Sequence, residues 1–150
     1  MSALFAVLHH LAAFALFAAL AIELVLLKPQ MTLREARTIQ VADLVYGVAA
    51  GVLLLAGLHR VFLFEKGATY YFSTWTFLAK FGLFILVGLA SILPTLEFLR
   101  WRAATRAGKA PEVAPETLRK LRMIVHLEAL GIALIIIFAV LMARGVGLMR

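Results

Sequence analysis

The stretch MIVHLEALGIALIIIFAVLMA, residues 123–143, holds only one histidine and one glutamate among otherwise apolar residues. A hydrocarbon core about 30 Å thick is crossed by a helix of roughly 20 such residues. Three further stretches, at about 4–27, 39–60 and 75–99, meet the same requirement. Of the 150 residues, 64% are hydrophobic and 15% are charged, and the mean hydropathy is +1.00. The sequence therefore predicts an integral membrane protein with four transmembrane helices.

The apolar stretches lack the alternating pattern of barrel strands, so helices are the form that satisfies their backbone groups in lipid. We expect an all-α, antiparallel four-transmembrane-helix bundle that makes one domain of residues 1–150. The first stretch has no basic segment before it and is too long for a signal peptide, which predicts an anchor that stays in place. The chain has no cysteine, so metal chemistry would have to use histidine, carboxylate, methionine or lysine.

The basic residues are distributed unevenly between the two ends of the predicted helices. The segment after the first helix carries three lysines and arginines, and the loop at about 100–122 carries seven more. The opposite ends carry four, namely Arg60, Lys66, Arg144 and Arg150. The positive-inside rule then places both termini outside and the two basic segments in the cytoplasm. The net charge of +7 accordingly predicts contact with anionic lipid rather than with nucleic acid.

The ionisable residues of the helices fall into two groups by depth. An outer, basic group lies within about 10 Å of the outer interface, and its members are His9, His10, His59, Arg60 and Lys80. A second, mostly acidic group lies near the cytoplasmic helix ends and comprises Glu23, Asp43, Glu97, His126 and Glu128. Charges inside a membrane cost about 2.5–3.5 kcal/mol on insertion scales, so we expect these residues to have a partner or a function.

Helical phase narrows the choice of inward-facing residues. Asp43, Gly47 and Gly51 share a small face of the second helix, which we expect to point inward for close packing. Phase favours Arg60 over His59 as the residue that faces the bundle. It also predicts that Lys80 faces the bundle. Successive residues are about 100° apart on a helix, so only one of the two adjacent histidines faces squarely inward. The residues themselves leave that choice open. They also leave open whether Asp43 and Glu128 are buried partners for helix packing or pair with Arg122 and His126.

An inward histidine with basic residues at one depth of a four-helix bundle is typical of a haem site. The imidazole would bind the iron, the basic side chains would pair with propionates, and apolar residues would hold the ring. No helix carries the HxxxH or HExxH spacing of a zinc or copper site.

Three stretches carry a resemblance to known proteins: AVLHHLA at 6–12, WTFLAKFGLF at 75–84 and VHLEALGIALIIIF at 125–138. The chain resembles the HemJ-type family of bacterial membrane protoporphyrinogen oxidases and a related family of small inner-membrane proteins of unknown function. The resemblance marks His9 or His10, with His9 favoured, together with Lys80 and Glu128. It implies haem b near the outer side of a bacterial inner membrane. Leu78 stands where the HemJ-type family often has a second histidine.

Together with the resemblance, these observations predict a multi-pass, haem-binding membrane oxidoreductase. The resemblance implies that it oxidises a porphyrinogen or passes electrons to quinone. His9 or His10 would bind the iron, Lys80 would be a second ligand or a propionate partner, and Arg60 would add positive charge. Glu128 and Lys80 are the candidate catalytic residues. The alternatives are a cofactor-free bundle, such as a small permease, a lipid-interacting protein or a complex subunit, and a translocator of protons or ions. The glycine face suggests a homodimer.

Overall fold

The computed structural model describes residues 2–59, 62 and 72–147, and four long helices account for most of them. Each of the four is long and apolar enough to cross a membrane. For the described residues, this confirms the prediction of an all-helical fold with four long apolar helices. In chain order the helices are α1 (Ser2–Leu26), α2 (Leu33–His59), α3 (Trp75–Arg100), the short α4 (Arg102–Arg106) and α5 (Pro115–Ala143).

Two of the long helices begin earlier than the apolar stretches from which they were predicted. The start of α2 is fixed by a capping box, because the Glu35 backbone N–H donates to Thr32 Oγ1 at 3.2 Å and the Thr32 N–H donates to Glu35 Oε2 at 2.8 Å. Lys28 adds an ion pair to Glu35 at 2.5 Å. At the start of α5, Pro115 lies in the first turn, where its missing N–H costs nothing. The predicted basic loop at 100–122 therefore contains α4 and the first turns of α5.

The long helices pack as two pairs. The contacts are most extensive between α1 and α2 and between α3 and α5, and the pairs meet where α1 touches α5 and α2 touches α3. Within the described residues, the backbones of α1 and α3 do not approach each other closely, so these two helices lie diagonally opposite each other. Buried side chains of all four helices form one apolar core, which includes Leu16, Leu20, Ile39, Phe98 and Val125.

The inner face of α2 differs from the predicted one. Gly47 and Gly51 are exposed, and an added Cβ at either glycine would meet nothing within 4 Å. The expectation that this glycine face points inward is therefore wrong. The buried residues of α2 are instead Ala36, Ile39, Ala42, Tyr46, Ala49 and Ala56. Four alanines already let the neighbouring helices approach closely, so the glycines are not needed for packing.

Polar side chains tie the two helix pairs together at the end that carries α4. Thr95 Oγ1 donates to Asp43 Oδ1 at 2.6 Å, Gln40 Nε2 donates to the Phe98 carbonyl at 2.8 Å, and Arg37 donates to the Thr105 carbonyl at 2.8 Å. Each of the three hydrogen bonds links α2 with α3 or α4.

The turn after α5 closes against the start of α3. The Trp75 N–H donates to the Gly147 carbonyl at 2.9 Å, and Thr76 Oγ1 donates to the Val146 carbonyl at 2.9 Å. Gly147 has a φ of +103°, and an added Cβ would lie within 3.0 Å of Trp75 and Thr76 atoms. Glycine is required there for both reasons.

Candidate functional site

A cavity of about 320 Å³ lies among the four long helices, and each of them contributes to its wall. We call it the central cavity. The wall is largely aliphatic and aromatic, with residues such as Leu16, Leu53, Phe81, Phe84, Ile135 and Ala139. Small-molecule pockets typically measure roughly 300–1,000 Å³ and combine an apolar wall with a few polar groups. The central cavity has both properties.

The two adjacent histidines of α1 have different surroundings. His9 is half-buried and lines the central cavity, with its Cε1 at 4.0 Å from a Cβ built on Gly57 of α2. His10 is exposed, and its Nδ1 donates to the Ala6 carbonyl of its own helix at 2.6 Å. The structure thus settles a choice that helical phase leaves open. Of the two imidazoles, only that of His9 faces the central cavity.

Lys80 of α3 lines the central cavity from the opposite side. Its Nζ lies 5.4 Å from the centroid of the Phe77 ring, over the face of that ring, and Phe77 also lines the cavity. Since α1 and α3 are diagonally opposed, His9 and Lys80 enter the same space from opposite helices. An imidazole and an amine therefore line one cavity from two directions.

The predicted basic group also contains Arg60 and His59. Arg60 lies outside the described residues. His59 is absent from the cavity wall, and its ring packs against Phe5 with the centroids 4.0 Å apart. Helical phase correctly favours the inward position of Lys80.

Two cavity residues were not singled out as functional from the sequence. Met142 of α5 and Tyr46 of α2 both line the central cavity. Methionine in a membrane helix carries no signal by itself, because it is one apolar residue among many. The sequence does carry a signal for Tyr46, since a tyrosine hydroxyl within an apolar membrane helix needs a hydrogen-bond partner. In the structure Tyr46 is 4% exposed.

The predicted acidic group is partly brought together. Glu23 of α1 and Glu128 of α5 are each 2% exposed, and both interact electrostatically with Asp43 of α2. The Tyr46 side chain hydrogen-bonds with Glu128. Glu128 does not line the central cavity, although Ile132, one turn further along α5, does. Glu128 is therefore next to the cavity rather than in it, with Tyr46 between them.

The remaining members of the acidic group lie elsewhere. Glu97 accepts hydrogen bonds from Arg100 at 3.1 Å and from Trp101 Nε1 at 3.2 Å. His126 is exposed and donates to the Arg122 carbonyl of its own helix at 2.6 Å. Asp43 accepts a hydrogen bond from Thr95, and Glu128 is buried beside Tyr46, which favours the alternative in which these two carboxyl groups are buried partners for helix packing. Among the described residues, no group of three or more histidine, cysteine or carboxylate side chains could hold a metal ion.

The fold and the site together define an all-helical membrane protein with a central cavity among four long apolar helices. The model of the DUF2214 family, described as predicted membrane proteins, matches residues 1–147, and the chain belongs to this family. This match supports the prediction of a family of membrane proteins. It gives no support to the resemblance to HemJ-type oxidases. No curated protein and no solved structure matches the chain.

Proposed function

We propose that this protein is a haem-binding membrane oxidoreductase whose central cavity holds one b-type haem. The observation that carries the proposal is the entry of His9 and Lys80 into one apolar cavity from diagonally opposed helices. A macrocycle needs an apolar wall along its faces and a nitrogen or sulfur ligand above or below the iron. The central cavity supplies the wall, and His9 supplies the imidazole.

In this proposal, three side chains of the cavity wall have roles in holding the haem. His9 binds the iron, and Lys80 provides either a second ligand or a positive charge for a propionate. Met142 is a further candidate for the second ligand, because thioethers bind haem iron and this side chain lines the same cavity. Haem supplies one-electron chemistry when it is bound. The phenylalanine, leucine and isoleucine side chains of the wall exclude water from it.

We also propose the membrane topology in which this chemistry takes place. The cavity wall comes from residues 9–17 of α1, the second half of α2, the first half of α3 and the second half of α5. This pattern supports an antiparallel bundle. The ten lysines and arginines of the two basic segments support a bacterial inner membrane with both termini outside. The electron donor would be a porphyrinogen or another membrane reductant, and quinone would be the acceptor.

The absorption spectrum of the full-length protein in mild detergent tests the proposal, recorded oxidised and then reduced with dithionite. We expect a Soret band, and sharp α and β bands after reduction. His9→Ala should abolish these bands, since it removes the ligand. The matched variant is His10→Ala, which removes the neighbouring imidazole from the exposed face of α1 and should leave the spectrum unchanged.

Two results would overturn the haem assignment. One is a protein that stays colourless after expression with added haem. The other is a spectrum that survives His9→Ala and is lost in His10→Ala, because the haem would then lie outside the central cavity. If the bands are present, mixing the reduced protein with a soluble quinone analogue tests the oxidoreductase part. We expect the quinone analogue to reoxidise the reduced protein in the absence of oxygen.

A further inference from the structure

Two carboxyl groups are buried within the bundle, and no basic side chain of the described residues acts on either of them. Glu23 and Glu128, which we call the acid pair, are each 2% exposed. In each of them the Oε1 atom is buried and has no hydrogen-bond partner among the described residues. Both residues lie within apolar membrane-spanning helices. The acid pair is therefore hidden from water and incompletely satisfied.

The charged groups around the acid pair are themselves acidic. Asp43 of α2 acts on both members, and the Tyr46 hydroxyl is beside Glu128. On the α3 side, Thr95 donates to Asp43, and Arg102 of α4 is the cation that acts on Asp43. Among the described residues, no basic side chain acts on Glu23 or Glu128. Two ionised carboxylates in a dry site without a cation would repel each other strongly, so such pairs keep a proton.

Tyr46 connects the acid pair to the central cavity. It lines the cavity wall, and it also hydrogen-bonds with Glu128. A hydroxyl both donates and accepts a hydrogen bond. When the Tyr46 O–H proton moves to an acceptor in the cavity, the Glu128 O–H can donate its own proton to the tyrosine oxygen. The tyrosine is then unchanged, and one proton has passed from the carboxyl to the cavity.

We infer that Glu23 and Glu128 form a proton-binding site, holding at least one proton at neutral pH, which exchanges with the central cavity through Tyr46. The ligand is the proton itself. A redox reaction in the cavity that takes up or releases a proton would use this site. The inference goes beyond haem binding and does not require it.

Infrared spectroscopy of the full-length, haem-free protein in phosphatidylcholine nanodiscs tests the inference. At pH 7 we expect the carbonyl band of a protonated carboxylic acid, which moves when the sample is transferred to D₂O. The double variant Glu23→Gln/Glu128→Gln should lose the band. The matched control is Glu112→Gln/Glu116→Gln, which changes two exposed glutamates and should keep the full band.

Tyr46→Phe tests the connection to the cavity while leaving both carboxyl groups in place. The carbonyl band should persist at a shifted frequency, because the acid has lost a hydrogen-bond partner. Its exchange with D₂O should slow, because the carboxyl proton has lost its route to the cavity through the tyrosine hydroxyl. This variant keeps the volume of the core, so it remains informative if the double variant does not fold.

Three results would overturn the inference: no carboxylic acid band at pH 7, a band that survives in the folded double variant, or exchange in Tyr46→Phe at the wild-type rate. The second result would assign the proton to another acid, such as Asp43. Since no haem is present in these samples, failure of this inference is distinguishable from failure of the haem proposal.

Discussion

At the residue scale, the packing of α3 against α5 depends on Gly131. This glycine is buried, and a Cβ added to it would overlap Cγ2 of Val87. Valine has a stiff side chain on a helix, so it cannot easily turn away. We expect Gly131→Ala to lower the free energy of unfolding by about 1–3 kcal/mol, the usual cost of overpacking a core. Unfolding in mixed detergent micelles measures this quantity.

Two companion variants separate overpacking from the general effect of replacing a glycine. Gly82→Ala lies on an exposed face of α3 with open space around it, and its effect should stay within about 0.5 kcal/mol. Val87→Ala removes the clashing methyl group, so the double variant should show a coupling of about 0.5–3 kcal/mol with Gly131→Ala. Equal losses in Gly131→Ala and Gly82→Ala would contradict the packing account.

Some residue-level features could be predicted from the sequence, and others could not. The phase of α3 correctly favours an inward Lys80, because Thr76 and Ser91 mark the same polar stripe. The phase of α1 gives no such guide, because large apolar residues surround that helix on every side. Leu16 is buried, for example, while Phe14 is 74% exposed. The separation of His9 from His10 therefore required the packing itself.

At the element scale, the start of α2 depends on its capping box. Thr32 and Glu35 exchange two hydrogen bonds that satisfy free N–H groups of the first turn. We expect Thr32→Ala to lower the free energy of unfolding by about 0.5–2 kcal/mol. Amide hydrogen exchange should also speed up in the first turn of α2, which gives the effect a local signature.

The control for this prediction lies in the next turn of the same helix. Thr38 is exposed, and its hydroxyl donates only to the Arg34 carbonyl of its own helix at 2.9 Å. Thr38→Ala should change the unfolding free energy by no more than about 0.5 kcal/mol. If both threonine variants lose the same stability, the capping box is not what stabilises the start of α2.

Helix boundaries illustrate what an apolar pattern can predict. The four apolar stretches correspond to the four long helices, because lipid thickness sets the length of each stretch. The polar first turns of α2 and α5 are less visible, since nothing apolar marks them. Thr32, Glu35 and Pro115 are the signals that reveal these turns. The glycines of α2 did not mark its inner face, because alanine allows neighbouring helices to pack equally closely.

At the scale of the whole molecule, the proposed topology can be tested by thiol labelling, because the natural chain has no cysteine. Glu112 lies in the segment before α5 and Arg144 at the end of α5, and both are exposed. In intact bacterial cells, a membrane-impermeant maleimide should label Arg144→Cys and leave Glu112→Cys unlabelled. Breaking the cells should make Glu112→Cys reactive.

Labelling of the denatured protein serves as the reference for each cysteine variant. The opposite pattern, with Glu112→Cys labelled in intact cells, would invert the orientation that the basic residues predict. Equal labelling of both variants in intact cells would contradict an arrangement with the two positions on opposite sides of the membrane.

The membrane class of the whole molecule follows from composition, whereas the central cavity does not. Core-facing and lipid-facing side chains are equally apolar in this chain, so periodicity cannot tell one face from the other. His9 and Lys80 are separated by 71 positions in the sequence. Their convergence on one cavity depends on the diagonal placement of α1 and α3, which only the packing of all four helices defines.

The central claim is that the cavity between His9 and Lys80 binds haem, and a haemin titration of the full-length protein tests it most directly. Leu54 lines the cavity, whereas its neighbour Leu55 is 70% exposed. We expect the wild type and Leu55→Trp to saturate at one haemin per chain, as followed by Soret absorbance. Leu54→Trp should lose binding because its larger side chain fills the cavity. No saturation in the wild type, or equal binding by the two tryptophan variants, would contradict the claim.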